Sequence, residues 1–137
     1  MITEDQLELL CIDWFKEIGY EYANGYDIAP DGDSPEREDY RQVILKARLL
    51  AQLEIINPHI PLATLEQAIA VITQFDTPIL IKNNQQFHQY LLEGLKVEFK
   101  EGDVEVADYV RFIDFNNTDK NEFLIVNQFT ITGIKGN

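Results

Sequence analysis

The stretch NEFLIVNQFTITGIKGN, residues Asn121–Asn137, decides the fold because it predicts one long, largely buried strand. Residues 123–126 are apolar on both faces of such a strand, and Phe129 and Ile131 continue one face. A strand with two apolar faces needs neighbours on both faces and at both edges. The preceding residues supply one edge only. We therefore expect the chain to be the front part of something larger, with the residues that do chemistry beyond Asn137.

The composition is that of one acidic, soluble domain. The 137 residues carry 24 acidic and 11 basic side chains, for a formal net charge of −13. Non-specific DNA binding depends on Lys and Arg that neutralise phosphates, so we expect weak or no DNA binding by this chain alone. No apolar run approaches the roughly 20 residues of a membrane span, and no secretory signal opens the chain. The lone Cys11 cannot form an internal disulfide, which fits the cytoplasm.

Helical periodicity predicts four helices in the first 94 residues. The first helix has a capping box formed by Thr3 and Gln6, and Gly19 ends it. Its apolar residues recur at helical spacing and predict a buried stripe. The stripe consists of Leu7, Leu10, Cys11, Trp14 and Ile18. The other helices are predicted at Pro35 to about Ile56, Leu62 to about Gln74, and about Asn84 to Glu93.

After Gly94 the apolar pattern changes to alternation, which predicts a sheet. Lys96–Lys100 and Val104–Phe115 form a hairpin around Glu101-Gly102, and the final strand follows at 122–132. Helices first and strands later favour the α+β class. We predict a single domain over residues 1–137, helical over 1–94 and an antiparallel β meander over 95–132.

One group of residues has the spacing of a nuclease metal motif. Glu98-Phe99-Lys100 places a carboxylate and an ammonium on one strand face, as in the E-x-K of Mg²⁺-dependent nucleases. Asp108 or Asp114 would have to join them from a neighbouring strand. Alternation with an inward Phe99 explains the pair as a solvent-exposed one, and we favour this interpretation.

Other groups of polar residues lack a site pattern. Asp31-Gly32-Asp33 is typical of a turn and has no further acids of a calcium loop. His59 and His88 lie on separate elements with no cysteine to join them, so we expect no metal site. Glu4 and Glu8 open the first helix, where carboxylates usually interact with the helix dipole and solvent. A functional role for them depends on what this helix packs against.

Short segments over nearly the whole chain carry a family resemblance. They are Thr3–Glu8, Gly19–Tyr22, Asp27–Asp31, Pro35–Val43, Ile56–Pro58, Asn83–Asn84, Phe87–His88, Leu91–Gly94, Ile113–Phe115 and Phe123–Phe129. In this order the segments are similar to the N-terminus of the R (restriction and motor) subunit of type I restriction–modification enzymes.

The resemblance implies an incomplete restriction-endonuclease-like domain, the leading part of a PD-(D/E)xK nuclease. It implies that the metal-binding aspartate and the E-x-K lie on the two strands after Phe123–Ile131, with Gly133–Asn137 beginning the link to them. Glu8 or Glu4 matches the first core helix, where an acid often supports the metal site. The resemblance also implies Mg²⁺ and ATP for the complete protein, with DNA and the methylase and specificity subunits as partners. This chain by itself is expected to bind no cofactor and to be inactive.

An acidic binding or regulatory module is the alternative interpretation. Such a module would dock on the partner subunits in place of a full R subunit, or would mimic DNA through its acidic side chains. Under either interpretation the strand at 122–132 has an exposed edge of high β-propensity. We therefore predict self-association by strand addition there, or a disordered tail.

Overall fold

A computed structural model describes residues 1–74 and 79–133, which form two compact units. Unit 1 combines residues 1–45 with the segment from residue 122 onward, and unit 2 spans Lys46–Asn121. In chain order the elements are α1 (Glu4–Glu17), β1 (Glu21–Asn24), α2 (Lys46–Ile56), α3 (Leu62–Ile72), α4 (Leu80–Glu93), β2 (Leu95–Glu101), β3 (Val104–Val110), a short 3₁₀ helix (Thr118–Lys120) and β4 (Leu124–Asn127). The predicted link at Gly133–Asn137 lies, after its first residue, outside the described residues, and the prediction of one domain stays a prediction.

The α+β class is confirmed by the four helices and the antiparallel hairpin of the described residues. Strands β2 and β3 pair from Leu95↔Val110 to Glu101↔Val104. Gly102 adopts φ 65° in the connecting turn, a conformation that favours glycine. Helix α3 matches its prediction closely, whereas α4 begins four residues before the predicted Asn84. Local patterns therefore located most of unit 2.

The prediction that the last strand completes an antiparallel meander is wrong. Strand β4 is only four residues long and pairs in parallel with β1, from Glu21↔Leu124 to Asn24↔Asn127. The described residues thus contain two separate two-stranded sheets, β1-β4 and β2-β3. Strand β4 is half-buried rather than largely buried. It ends at Asn127, because the next residue, Gln128, has a φ of 53° in the left-handed region and interrupts the extended chain.

The predicted buried stripe of α1 is exposed. The capping box of Thr3 and Gln6 is present, so the start of the helix is confirmed. Trp14 is nevertheless 54% exposed and Ile18 73% exposed, while Ile12, outside the stripe, is buried. Helix α1 packs through Ile12 onto its own unit and presents the apolar stripe to solvent. Periodicity located the apolar face of α1 correctly but could not identify which face of this helix the rest of the chain covers.

The predicted second helix starts eleven residues too early, since residues 35–45 are irregular and α2 begins at Lys46. Polar side chains in this segment bond to the main chain instead. The Asp39 carboxylate accepts the main-chain N–H groups of Arg41 and Gln42, and the Gln42 amide donates to the carbonyl of Ile44. Such local bonds compete with the helical ladder. Pro35 therefore opens a turn segment and not a helix.

The core of unit 2 packs α2 and α3 against one face of the hairpin. Its buried residues are Leu53, Ile60, Leu65, Ala68, Ile69, Ile72, Phe99, Val110 and Phe112. One polar side chain, Asn57, is buried beside them and only 1% exposed. Its amide donates to the carbonyls of Leu53 and Arg111, at 3.0 and 2.9 Å, and its oxygen accepts the Arg111 N–H at 2.8 Å. Asn57 therefore ends α2 and stops β3 at Val110, short of the predicted Phe115, because it takes both main-chain groups of Arg111.

Candidate functional site

Glu8 is the N-terminal carboxylate that the fold brings into a network. It is half-buried on α1, and both of its carboxylate oxygens accept hydrogen bonds from the Gln128 side-chain amide, at 3.1 and 3.2 Å. Gln128 directly follows β4, 120 residues along the chain. The bonds join the first helix to the end of the strand that the sequence singled out. No periodicity or spacing in the sequence predicts this contact.

Gln128 is held in turn by the turn after β1. The Tyr26 hydroxyl donates to the Gln128 side-chain oxygen at 3.1 Å. We call Glu8, Tyr26 and Gln128 the polar network. Beside it, the Tyr22 hydroxyl donates to the side-chain oxygen of Asn127 at 2.6 Å. Two tyrosine–amide hydrogen bonds, Tyr22–Asn127 and Tyr26–Gln128, therefore lie near the ends of β1 and β4, and Gln128 also bonds to the carboxylate of Glu8.

The main chain of residues 127 and 128 lies unusually close to Gly25. The Gly25 N–H donates to the Asn127 carbonyl at 2.8 Å. A Cβ on residue 25 would lie 2.2 Å from the Gln128 carbonyl oxygen, well inside van der Waals contact. Glycine is therefore required here by the approach of the opposite backbone. This packing fixes the position of Gln128 from the β1 side.

A buried arginine fixes the chain just after Gln128. Arg37 is 3% exposed, and its guanidinium lies 4.0 Å from the centroid of the Phe129 ring. Its Nε donates to the Gln42 carbonyl at 2.8 Å and one Nη to the Tyr40 carbonyl at 3.0 Å. The Thr132 N–H also donates to the Tyr40 carbonyl. The segment 37–42 therefore holds residues 129–132, a role that the sequence did not reveal.

Glu4 is not part of the polar network. It lies in the first turn of α1, and its exposed side chain is not among those that contact Gln128 or Tyr26. A carboxylate at this position interacts favourably with the positive end of the helix dipole. Of the two predicted acids, the structure thus brings only Glu8 to another candidate residue.

The E-x-K residues are separated from the candidate aspartates. Glu98 and Lys100 are exposed on β2, while Phe99 between them is buried. Asp108 pairs in register with Val97 and so lies on the opposite face from Glu98. Asp114 accepts the main-chain N–H groups of residues 116 and 117 and caps a loop. The interpretation of Glu98 and Lys100 as a surface pair agrees with these positions.

Asp108 has a different partner, which the sequence did not indicate. His59 Nε2 lies 2.7 Å from an Asp108 carboxylate oxygen. The main-chain N–H of Tyr109 donates to the other oxygen, and this bond, with His59, lowers the pKa of Asp108. The pair is largely solvent-exposed and joins the loop before α3 to the hairpin. We regard it as a structural contact of unit 2.

The turn predicted at Asp31-Gly32-Asp33 is present, and Asp31 in it accepts a hydrogen bond from a tyrosine. The Tyr40 hydroxyl donates to Asp31 at 2.5 Å, which raises the pKa of Tyr40. Among the described residues, no group of three or more His, Cys, Asp and Glu side chains is placed to share a metal ion. Of the two acids that the sequence proposed, only Glu8 is held by a second side chain, and the described residues form no group that could share a metal ion.

The outer edge of β4 has no partner strand in the part of the chain that the structure describes. Most of the apolar stripe of α1 is exposed as well. Lys16 of α1 lies over the ring of Tyr22 in β1, and Glu8 reaches Gln128 beside β4. Helix α1 therefore packs on the β1-β4 pair with most of its apolar stripe uncovered.

An α+β domain with a carboxylate held near the end of a strand occurs in many classes of protein. Comparison with known proteins identifies the class to which this chain belongs. Residues 1–137 match the family described as the type I restriction enzyme R protein N terminus. The chain belongs to this family.

Two curated relatives agree with the family match. A putative type I restriction enzyme MjaIXP endonuclease subunit of Methanocaldococcus jannaschii is 35% identical over 131 residues, 95% of this chain. The type I restriction enzyme HindI endonuclease subunit of Haemophilus influenzae is 28% identical over 136 residues, 99% of this chain. The chain spans 12% and 13% of the lengths of these relatives. No solved structure matched, and the described residues include no helix long and apolar enough to cross a membrane.

Proposed function

We propose that this chain forms the leading part of the nuclease domain of a type I restriction endonuclease R subunit, and that the complete protein cleaves DNA with Mg²⁺ and ATP. The family match and the two relatives support the assignment to the R subunit. The observation that carries the nuclease assignment is the polar network, which positions one carboxylate of the first helix at the end of β4. In this proposal the domain is of the PD-(D/E)xK type, and its main metal ligands come from strands that follow β4.

Glu8 is the residue to which we assign a supporting role at the metal site. Mg²⁺ in proteins is usually held by one or two carboxylates and several waters. The described residues fit one such ligand, or an acid one shell further out, because Glu8 alone of the two proposed acids is held by a second side chain and no three His, Cys, Asp or Glu side chains among them are placed to share an ion. Glu4 receives the helix-dipole role instead. When bound, Mg²⁺ would supply charge neutralisation for phosphodiester cleavage.

The partners in this proposal are DNA and the methylase and specificity subunits. The net charge of −13 disfavours DNA binding by this chain alone. ATP is assigned to other parts of the complete protein, because this sequence has no glycine-rich phosphate loop. The chain would therefore contribute scaffold and one acid, while recognition and translocation reside elsewhere.

The chain by itself is expected to leave DNA intact. Supercoiled plasmid incubated with the chain and Mg²⁺ should remain supercoiled, since the residues that the structure describes form no group that could share a metal ion. The complete R subunit, assembled with its partner subunits and given ATP, is the positive control. Nicked or linear plasmid produced by the purified chain would contradict the placement of the main ligands outside it.

The free edge of β4 predicts self-association of the isolated chain. An unpaired edge is a template for another strand, and the exposed stripe of α1 adds apolar surface that a second copy can cover. Sedimentation velocity over a wide concentration range should show a rising mean mass, and Trp14→Lys should suppress the rise by placing a charge at the stripe. Leu9→Lys is the matched control, because Leu9 is also exposed on α1 but outside the stripe. A chain that stays monomeric throughout would oppose this prediction.

A further inference from the structure

We propose that Gln128 is a positioning residue whose amide fixes the orientation of the Glu8 carboxylate. The inference rests on the proposed function of Glu8 and adds a residue that sequence patterns did not select. Both Glu8 oxygens lie within hydrogen-bonding distance of one nitrogen of Gln128, at 3.1 and 3.2 Å. A carboxylate held by both oxygens loses its freedom to rotate about its terminal bond. Its remaining lone pairs then point in defined directions.

The Gln128 amide is held at its other end by Tyr26, while the carboxylate of Glu8, which can only accept, determines that the amide nitrogen faces it. The Tyr26 hydroxyl donates to the amide oxygen, so the amide nitrogen is left to face Glu8. The flipped amide would place its oxygen against the carboxylate, and two acceptors would then face each other. Tyr26 therefore acts on Glu8 through Gln128. The three side chains are exposed to half-buried, so a ligand can approach the carboxylate.

The backbone of Gln128 is held in a conformation that glutamine seldom adopts. Its φ is 53°, in the left-handed region that favours glycine and asparagine. The close approach of Gly25 on one side and the stacking of Arg37 on Phe129 on the other keep it there. Non-glycine residues in this region carry strain and cluster at functional sites. Asparagine would tolerate this backbone better, and the longer side chain of glutamine is explained by its reach to Glu8.

Because the backbone at residue 128 is strained, one variant can test the positioning of Glu8 separately from the stability of the fold. In Gln128→Asn the amide is kept and the left-handed backbone is better tolerated, but the side chain is one methylene too short to bond both Glu8 and Tyr26. We expect its thermal stability to equal or exceed that of the parent. Residues that orient a metal-binding carboxylate typically affect metal affinity or activity by about 10–100-fold. The Mg²⁺ concentration for half-maximal DNA cleavage is therefore expected to rise about tenfold.

The experiment uses the complete R subunit assembled with its partner subunits. Cleavage and ATP hydrolysis are measured as functions of Mg²⁺, and Mn²⁺ binding to the R subunit is titrated directly by electron paramagnetic resonance. Gln128→Asn should weaken Mn²⁺ binding and shift the cleavage curve, with ATP hydrolysis unchanged. Tyr26→Phe should shift both in the same direction by less. Gln89→Asn is the matched control, because Gln89 makes an exposed amide–carboxylate bond to Glu93 at 3.2 Å on α4.

The outcomes separate this inference from the function on which it rests. If Glu8→Ala keeps parental cleavage, the proposed function of Glu8 fails. If Glu8→Ala loses cleavage but Gln128→Asn has the parental Mg²⁺ and Mn²⁺ curves, only the positioning role is overturned. A fall in cleavage by Gln128→Asn that is equal at every Mg²⁺ concentration, with Mn²⁺ binding intact, would also overturn it.

Discussion

Replacing Asn57 with alanine is expected to lower the free energy of unfolding by roughly 2–4 kcal/mol and the melting temperature by about 10 °C. The side chain is buried and makes three hydrogen bonds to main-chain groups. Alanine would leave the Arg111 N–H and carbonyl without these bonds inside the protein. Each buried group left unsatisfied costs about 1–3 kcal/mol. The measurement is urea or thermal unfolding followed by circular dichroism.

Two further variants sharpen the Asn57 experiment. Asn84→Ala, on the exposed surface of α4, is the matched control and should be neutral or slightly stabilising because alanine favours helices. Asn57→Asp keeps the acceptor for Arg111 but sets a carboxylate against two carbonyl oxygens. It should be at least as destabilising as alanine at neutral pH and should recover in part on acidification, when the carboxyl can donate. Parental stability of Asn57→Ala would contradict the role assigned to this side chain.

Features that depend on neighbouring residues were predicted from the sequence. The capping box of Thr3 and Gln6 starts α1 as expected, and the turn at Gly102 joins the two hairpin strands. Both depend on bonds between residues a few positions apart. The α+β class followed from these local patterns.

Features that depend on distant contacts were not predicted. The parallel pairing of β1 with β4 joins segments about a hundred residues apart, and alternation alone gives no partner or direction. Arg37 was not singled out in the sequence, yet it is buried against Phe129. The α1 stripe was assigned to the core because periodicity reveals an apolar face but not what covers it. For the site, the family resemblance in the sequence proposed Glu8 and Glu4, whereas Gln128 and Tyr26 were identified only from the fold.

Glu8→Ala is expected to have the largest effect on activity in the complete enzyme. Removing a carboxylate that supports a metal site should lower DNA cleavage by about 10–100-fold. ATP hydrolysis should be preserved, because the proposal places ATP outside these residues. Glu8→Gln should resemble alanine, since it keeps the size of the side chain but not the charge. Glu17→Ala, at the opposite end of the same helix, is the matched control for any general effect of losing an acid from α1.

The most direct test of the account is the ratio of DNA cleavage to ATP hydrolysis for the complete R subunit assembled with its partner subunits. The account predicts that Glu8→Ala lowers this ratio by about 10–100-fold while Glu17→Ala leaves it unchanged. A ratio for Glu8→Ala equal to that of the parent would contradict the claim that the first helix of this chain supports the nuclease site.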